Sequence, residues 1–320
     1  MTYGDIADAL GDKVASRAIG RLMAQNKYPN KIPCFKVIHS DGKIGKYSLG
    51  GEGEKIKRLV REGIEVINNR VNLEKYKEDI RNLEIYPVLK ELKLIQSYLS
   101  KTLSIKSVDI SSIRYIISTD VTYVDWYPEI GIASAVLFDR VNDEKILGIS
   151  ISIMPIYFPY IPGYLAFREL PIILSAIDSL LFHIRVKPDL YIFDGHGTLH
   201  PRTFGIASHA GAILNAPTIG VAKKLLVGKI ENRISRIDKF MISKVVVKEP
   251  IGWGYKVWVK GHEKKAIYVS PGNLIGHEDS LKMILSLKWR ETKLLVTDFP
   301  HRIVGDFRKK IKSLLPDMFV

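Results

Sequence analysis

A single cysteine among 320 residues excludes an internal disulfide and any thiolate cage for zinc or an iron–sulfur cluster. A chain so poor in thiols is expected in a reducing compartment, here the cytoplasm. Long apolar runs are missing too. Residues 170–184, the most apolar stretch, are interrupted by Asp178 and His183 and fall short of the roughly 20 residues a membrane span needs, so no membrane partner is expected. Residues 1–10 carry Asp5 and Asp8 and no uninterrupted apolar core, which argues against an export signal. Acidic residues are in deficit, 34 against 48 Lys plus Arg, for a formal charge of +14. A surplus of that size fits a polyanionic partner such as nucleic acid, although lysine also serves solubility. With 46% hydrophobic and 26% charged residues and no repeat or low-complexity tract, the composition is globular and long enough for two modest domains.

The sequence changes character between residues 68 and 89, and the domain boundary is expected near Ile85, giving domains 1–85 and 86–320. The charged stretch 72–82 reads as a solvated helix or linker. Before it, residues 3–10 and 15–26 have apolar positions at helical spacing with Gly11 and Asp12 between them, a pattern compatible with a helix-turn-helix. After it comes an amphipathic helix over 90–101, then apolar runs that suit strands at 115–119, 133–138, 146–154, 190–193 and 218–221. Helices are expected over 164–184, 203–215 and 278–287, and a hairpin over 256–269 around Gly261. Three consecutive strands followed by strand–helix alternation predict an α/β mixed sheet flanked by helices.

The cysteine lies in Ile32-Pro33-Cys34-Phe35-Lys36-Val37-Ile38. A free cysteine is ordinarily an inert small hydrophobe. This segment, however, resembles the active-site signature of the 6-O-alkylguanine-DNA alkyltransferases, Pro-Cys-His-Arg-Val. The resemblance extends to Tyr3-Gly4-Asp5-Ile6-Ala7, Ser16-Arg17-Ala18-Ile19-Gly20, Asn26, and Gly45-Lys46-Tyr47-Ser48 with Gly50-Gly51. It covers residues 1–63, the C-terminal half of a typical alkyltransferase, and implies a mainly α, winged-helix-like core that needs no cofactor. The resemblance also implies that Arg17 enters the base stack where the damaged base is flipped out and that Tyr3 presses on the phosphate. By the same comparison Asn26 and Tyr47 hold the flipped guanine, Ser48 assists at the alkylated oxygen, and Cys34 takes the alkyl group irreversibly. One departure is plain: the family activates its thiol through a histidine directly after the cysteine, supported by a glutamate, and here that place is Phe35. Glu62 fits the glutamate with one residue of slack. Activation by water, Lys36 or a helix N-terminus, slow transfer, and a domain that only binds lesions all remain open, and restoring histidine at 35 is expected to speed transfer.

Asp120 and Asp194 each end an apolar strand run, Ile116-Ile117-Ser118-Thr119-Asp120 and Tyr191-Ile192-Phe193-Asp194-Gly195. Two carboxylates at the ends of paired strands supply the hard oxygen ligands that Mg²⁺ needs, although either could simply cap a strand. Residues 90–310 as a whole resemble endonuclease V, the repair nuclease of RNase H-like fold that nicks DNA near deoxyinosine. Matching pieces follow in family order: 118–123, Pro159-Tyr160-Ile161-Pro162-Gly163, Phe167-Arg168-Glu169, 194–197 with Leu199-His200-Pro201-Arg202, 205–209, Gly220-Val221-Ala222-Lys223 and 269–272. The resemblance implies that Asp120, Glu169 and Asp194 hold Mg²⁺, or Mn²⁺, and that Lys223 contacts the scissile phosphate. It places His200 near the site with a phosphate or leaving-group role, and makes Tyr160, stiffened by two prolines, a wedge at the lesion. A late Asp or His usual in the family falls here on Gly305, so Asp306, one residue on, is the nearest carboxylate to that place. Together the resemblances imply a bifunctional DNA-repair protein, expected as a monomer, whose partners are DNA with deoxyinosine or alkylated guanine. The rival readings are a non-catalytic N-terminal domain and a nuclease that acts on inosine in RNA.

Overall fold

The structure, a computed structural model, describes residues 1–80, 84–125 and 129–314. The backbone divides into two compact units, Met1–Ile95 with Tyr160–Pro162, and Gln96–Pro159 with Gly163–Val320. The division falls ten residues beyond the expected boundary at Ile85. Residues 81–83, the end of the expected linker, lie outside the described residues.

In the first unit, α1 (Tyr3–Ala9) and α2 (Ser16–Ala24) pack together. Thr2 caps α1 reciprocally: its hydroxyl accepts from Asp5 N–H at 3.1 Å while the Asp5 carboxylate accepts from Thr2 N–H at 2.8 Å. Gly11 turns the chain at φ +99°, and a Cβ there would come within 2.5 Å of Lys90 N, so only glycine fits. Then follow α3 (Gly51–Arg61), a minimal hairpin of β1 (Val66–Ile67) and β2 (Arg70–Val71), the single turn α4 (Leu73–Tyr76), and α5 (Val88–Leu99). The start of α5 is tied to this unit by Leu89 N–H donating to Leu10 O and by Lys93 Nζ donating to Gly11 O, which is why the unit runs past residue 85. The core gathers Cys34, Phe35, Ile38, Ile44, Tyr47, Leu59 and Val71.

The second unit is built on β3 (Tyr115–Val124), β4 (Glu129–Asp139), β5 (Lys145–Ile156), α6 (Leu165–Ile184), β6 (Leu190–Asp194), α7 (Ile206–Leu214) and β7 (Thr218–Ala222). The chain continues through β8 (Lys229–Ile237), β9 (Phe240–Lys248), β10 (Gly252–Val259), β11 (Ile267–Asn273), α8 (His277–Ser286), the short pair β12 (Trp289–Arg290) and β13 (Lys293–Leu294), and α9 (Leu295–Leu314). Nine strands form one mixed sheet in the order β5-β4-β3-β6-β7-β11-β10-β9-β8. β3 runs parallel to β6, and β6 to β7, while the β5-β4-β3 and β7-β11-β10-β9-β8 pairings are antiparallel. Ile117, Leu137, Tyr191 and Phe193 pack on α6 and α7 on one face. Ile116, Val136, Leu190 and Ile192 pack with α8 and Val296 on the other, so the expected sheet flanked by helices is present as three layers.

One expectation about the ladder is corrected. Asp120 does not end its strand: β3 pairs with β4 along its whole length, from Tyr115↔Asp139 to Val124↔Ile130. The parallel ladder with β6 is what stops, at Thr119↔Phe193, one register position before Asp120 and Asp194. Several elements were not foreseen, and for two of them the reason is visible in the residues. The apolar residues of β8, Ile230, Ile234 and Ile237, do not alternate, and every residue of that edge strand is exposed. Pro300 lies inside α9 and reads as a break, yet Val296, Pro300 and Val304 form a buried stripe at spacing four on that helix.

Candidate active sites

Alternation along β3 and β6 puts Ile116, Leu190 and Ile192 on the α9 side of the sheet, and Asp120 and Asp194 follow on the same side. Asp120 is 6% exposed. Burial and the nearby Asp194 charge push its carboxyl up to about 6. Each aspartate is held by one partner: Lys223 Nζ donates to Asp194 Oδ2 at 2.7 Å, and His301 Nδ1 donates to Asp120 Oδ2 at 2.7 Å. Glu169 enters from α6, 9% exposed, and accepts from the Tyr123 hydroxyl at 2.5 Å. Its carboxyl is pushed up to about 8 by burial and, further, by the charges of Asp194 and Asp120. The preceding residue, Arg168, lays its guanidinium 4.2 Å from the Tyr123 ring centroid and donates to Glu129 and to the Phe158 carbonyl. The structure thus brings Asp120, Asp194, Glu169 and Lys223 together. Tyr123 and His301 join them without having been singled out. Tyr123 lies within the 118–123 motif, and His301 beside the Pro-x-Arg sequence, but their partners are 46 and 181 residues away.

Among the described residues, no three His, Cys, Asp or Glu side chains converge at coordinating separation. The donor set nevertheless fits a hard divalent cation. It consists of carboxylate oxygens raised first by burial and further by one another's charge, and a bound cation relieves both costs.

Two of the expected site residues in this unit have other partners. His200 is 3% exposed, its Nε2 donates to Gly163 O at 3.0 Å and its Nδ1 accepts from Arg202 N–H at 3.3 Å. Burial and the neighbouring Arg202 charge hold it down at about 3, so it is a neutral brace of the turn at Gly163 with neither nitrogen left for phosphate. Asp306 is 74% exposed and pairs with Lys309, and five residues along α9 put it about 140° around the helix from His301. Tyr160 is 49% exposed.

In the first unit Cys34 is 3% exposed, and Asn26 Nδ2 donates to its Sγ at 3.1 Å and to Ile32 O at 3.1 Å. The Asn26 carbonyl oxygen accepts from Tyr28 N–H. Asn26 therefore holds the thiol and its loop, where contact with a guanine was expected. The Tyr47 hydroxyl is buried without a hydrogen-bond partner among the described residues. Ser48, next to it, is exposed. Phe35 is buried, edge-on to Tyr47 at 6.4 Å, with Lys36 Nζ at 5.7 Å and Arg58 at 5.8 Å from its ring. Glu62 is taken by Lys36 at 2.5 Å, so no relay runs from Cys34 to Glu62. Lys55 is a buried cation that donates to Val37 O at 2.7 Å and to the Tyr3 hydroxyl at 3.3 Å, and burial lowers it to about 8. A cleft of about 510 Å³ runs past Tyr3, Arg17, Arg21, His39 and Lys46, so Tyr3 and the exposed Arg17 share a basic surface.

Comparison with known proteins agrees with both halves. Residues 97–294 match the family model of Endonuclease V, and residues 1–64 match the DNA binding domain of 6-O-methylguanine DNA methyltransferase. A bifunctional methyltransferase/endonuclease of Picrophilus torridus is 38% identical over 89% of this chain and 84% of its own, and one of Thermoplasma volcanium is 35% identical over 92% and 81%. Endonuclease V of Dictyoglomus thermophilum is 38% identical over 58% of this chain and 77% of its own. Among solved structures, endonuclease V of Bacillus subtilis superposes with a TM-score of 0.63 at 24% identity, covering 70% of this chain and 94% of that one. The Ciona intestinalis endonuclease V, solved with a 24mer DNA containing an inosine followed by a ribo-adenosine, gives 0.57 at 22%, covering 70% and 98%.

Proposed function

The chain belongs to the endonuclease V family and carries an alkyltransferase DNA-binding domain ahead of it, and from that premise we propose one protein that repairs two kinds of altered purine. The second unit hydrolyses a phosphodiester of DNA near deoxyinosine. The first transfers the alkyl group of 6-O-methylguanine to Cys34. The observation that carries the nuclease reading is the juxtaposition of Asp120 and Asp194 where the β3–β6 ladder ends, with Lys223 on one of them and Glu169 nearby.

Asp120, Asp194 and Glu169 would hold Mg²⁺ or Mn²⁺, which when bound neutralises phosphate charge and activates water. Lys223 offers its ammonium to the scissile phosphate, and its pull towards Asp194 keeps it at the site until DNA arrives. Tyr160, half exposed between Pro159 and Pro162, wedges the lesion open. In the first unit α1 and α2 form the helix-turn-helix, the β1–β2 hairpin stands as a small wing, and Arg17 beside Tyr3 enters the base stack. The Cys34 sulfur, oriented by Asn26, bonds to the alkyl carbon as the carbon–oxygen bond to guanine breaks and the thiol proton ends on the released guanine, and the buried Tyr47 hydroxyl finds its partner on the flipped base.

Asp120→Ala and Asp194→Ala are each expected to abolish metal-dependent nicking of a deoxyinosine duplex while duplex binding survives, since lysines and arginines supply most of the latter. Wild-type nicking rates in either variant at saturating Mg²⁺ would sink the assignment.

A further inference from the structure

We propose that His301 is a positioning residue of the nuclease site, holding the Asp120 carboxylate in the orientation in which it meets a divalent cation. The inference rests on the reading of Asp120 as a metal-holding carboxylate. Asp120 comes from a central strand and His301 from the last helix, 181 residues later, yet Nδ1 lies 2.7 Å from Oδ2. A carboxylate only accepts, so the imidazole donates from Nδ1. Asp120 is almost fully buried while His301 is 57% exposed on its side chain, so the bond joins a buried carboxylate to a half-exposed imidazole.

The helix that carries it cannot drift. Val304 packs with Val124 and Ile132, Val296 is buried in the main core, and the Pro300 carbonyl, next to His301, accepts from the Ser134 hydroxyl at 3.2 Å. All of these anchors lie on β3, β4 or the core beneath them, so His301 is fixed relative to the strand that bears Asp120. Lys223 does the corresponding work on Asp194 from just past the end of β7, so each aspartate has its Oδ2 tied by a cationic or imidazole donor. Hydrogen bonds of this kind orient a metal-binding carboxylate and typically contribute about 10- to 100-fold to metal affinity.

The test uses the full chain without DNA and Mn²⁺ alone as the probe, with free Mn²⁺ read by electron paramagnetic resonance. His301→Ala should weaken Mn²⁺ binding about tenfold or more. His301→Asn, whose amide nitrogen occupies the place of Nδ1, should stay within about threefold of wild type, a difference too small to signal a lost bond. Nicking of a deoxyinosine duplex should follow the same order, with kcat falling at fixed Mn²⁺ and the KM for DNA unchanged. Asp120→Ala serves as the control. If it too binds Mn²⁺ like wild type, the assignment of the site fails; if it loses Mn²⁺ while His301→Ala keeps wild-type affinity, or if Asn falls as far as Ala, the positioning role alone is overturned.

Discussion

At Phe35 the chemistry of a family meets the packing of one protein. A histidine at 35 was expected to restore a proton relay and speed transfer, but the ring of Phe35 lies in an apolar cluster with two cations, Lys36 and Arg58, against it, and Glu62 is paired with Lys36. An imidazole placed there would lack an acceptor and its protonated form would be repelled from both sides. Phe35→His is therefore expected to cost about 1–3 kcal/mol of stability in the first unit and to give no faster alkyl transfer. Single-turnover transfer from a methylguanine duplex, run beside thermal melting, checks both; a gain approaching 10²-fold, the lower end of general-base contributions, would show that the relay re-forms. His200 teaches the same lesson from the other side. Its residue type suits catalysis, yet its two nitrogens are spent on the backbone of Gly163 and Arg202.

At the scale of elements, the nuclease site depends on how closely the loop after β6 lies on β7. A Cβ on Gly220 would stand 2.4 Å from Gly197 N and 2.5 Å from Gly195 O, both backbone atoms that cannot rotate aside. Gly220→Ala must push residues 195–197 off β7, and Asp194 with them. The expected result is a destabilisation of about 1–3 kcal/mol and a nicking rate lower by about 10²-fold at saturating metal, measured by melting and by initial rates. Wild-type kinetics in a variant that melts early would separate loop packing from catalysis. The elements themselves were unequally legible. β3, β6 and β7 announce themselves as apolar runs because both faces are covered by helices. β8 does not, since an exposed edge strand has no face that burial must keep apolar, and α9 is masked by a proline that its docking on β3 and β4 tolerates.

For the whole molecule, two units with separate cores imply two separable chemistries. Cys34 lies in one cluster of apolar residues and the acidic residues lie over another, so Cys34→Ser is expected to remove alkyl transfer and leave nicking at deoxyinosine at the wild-type rate. Both reactions are followed on duplexes carrying one lesion each; loss of nicking in a folded Cys34→Ser protein would require a shared site. The net charge of +14 is of the sign that phosphate contact requires, and among the described residues no helix is long and apolar enough to cross a membrane.

Residue identity and order alone determined which families the chain joins and that there are two chemistries, and through that resemblance they pointed to Cys34, Asp120, Glu169, Asp194 and Lys223 as candidates. These follow from short segments whose chemistry demands particular side chains close together in sequence. Only the tertiary structure decided that Asn26 grips the thiol, that Glu62 is spent on Lys36, that His200 braces a turn and that His301 faces Asp120. Each of these is set by which partner occupies the few ångströms around a polar group. For His301 and Asp120 that is decided by how a sheet and its last helix pack, and no spacing along the chain encodes the distance between residues 181 apart.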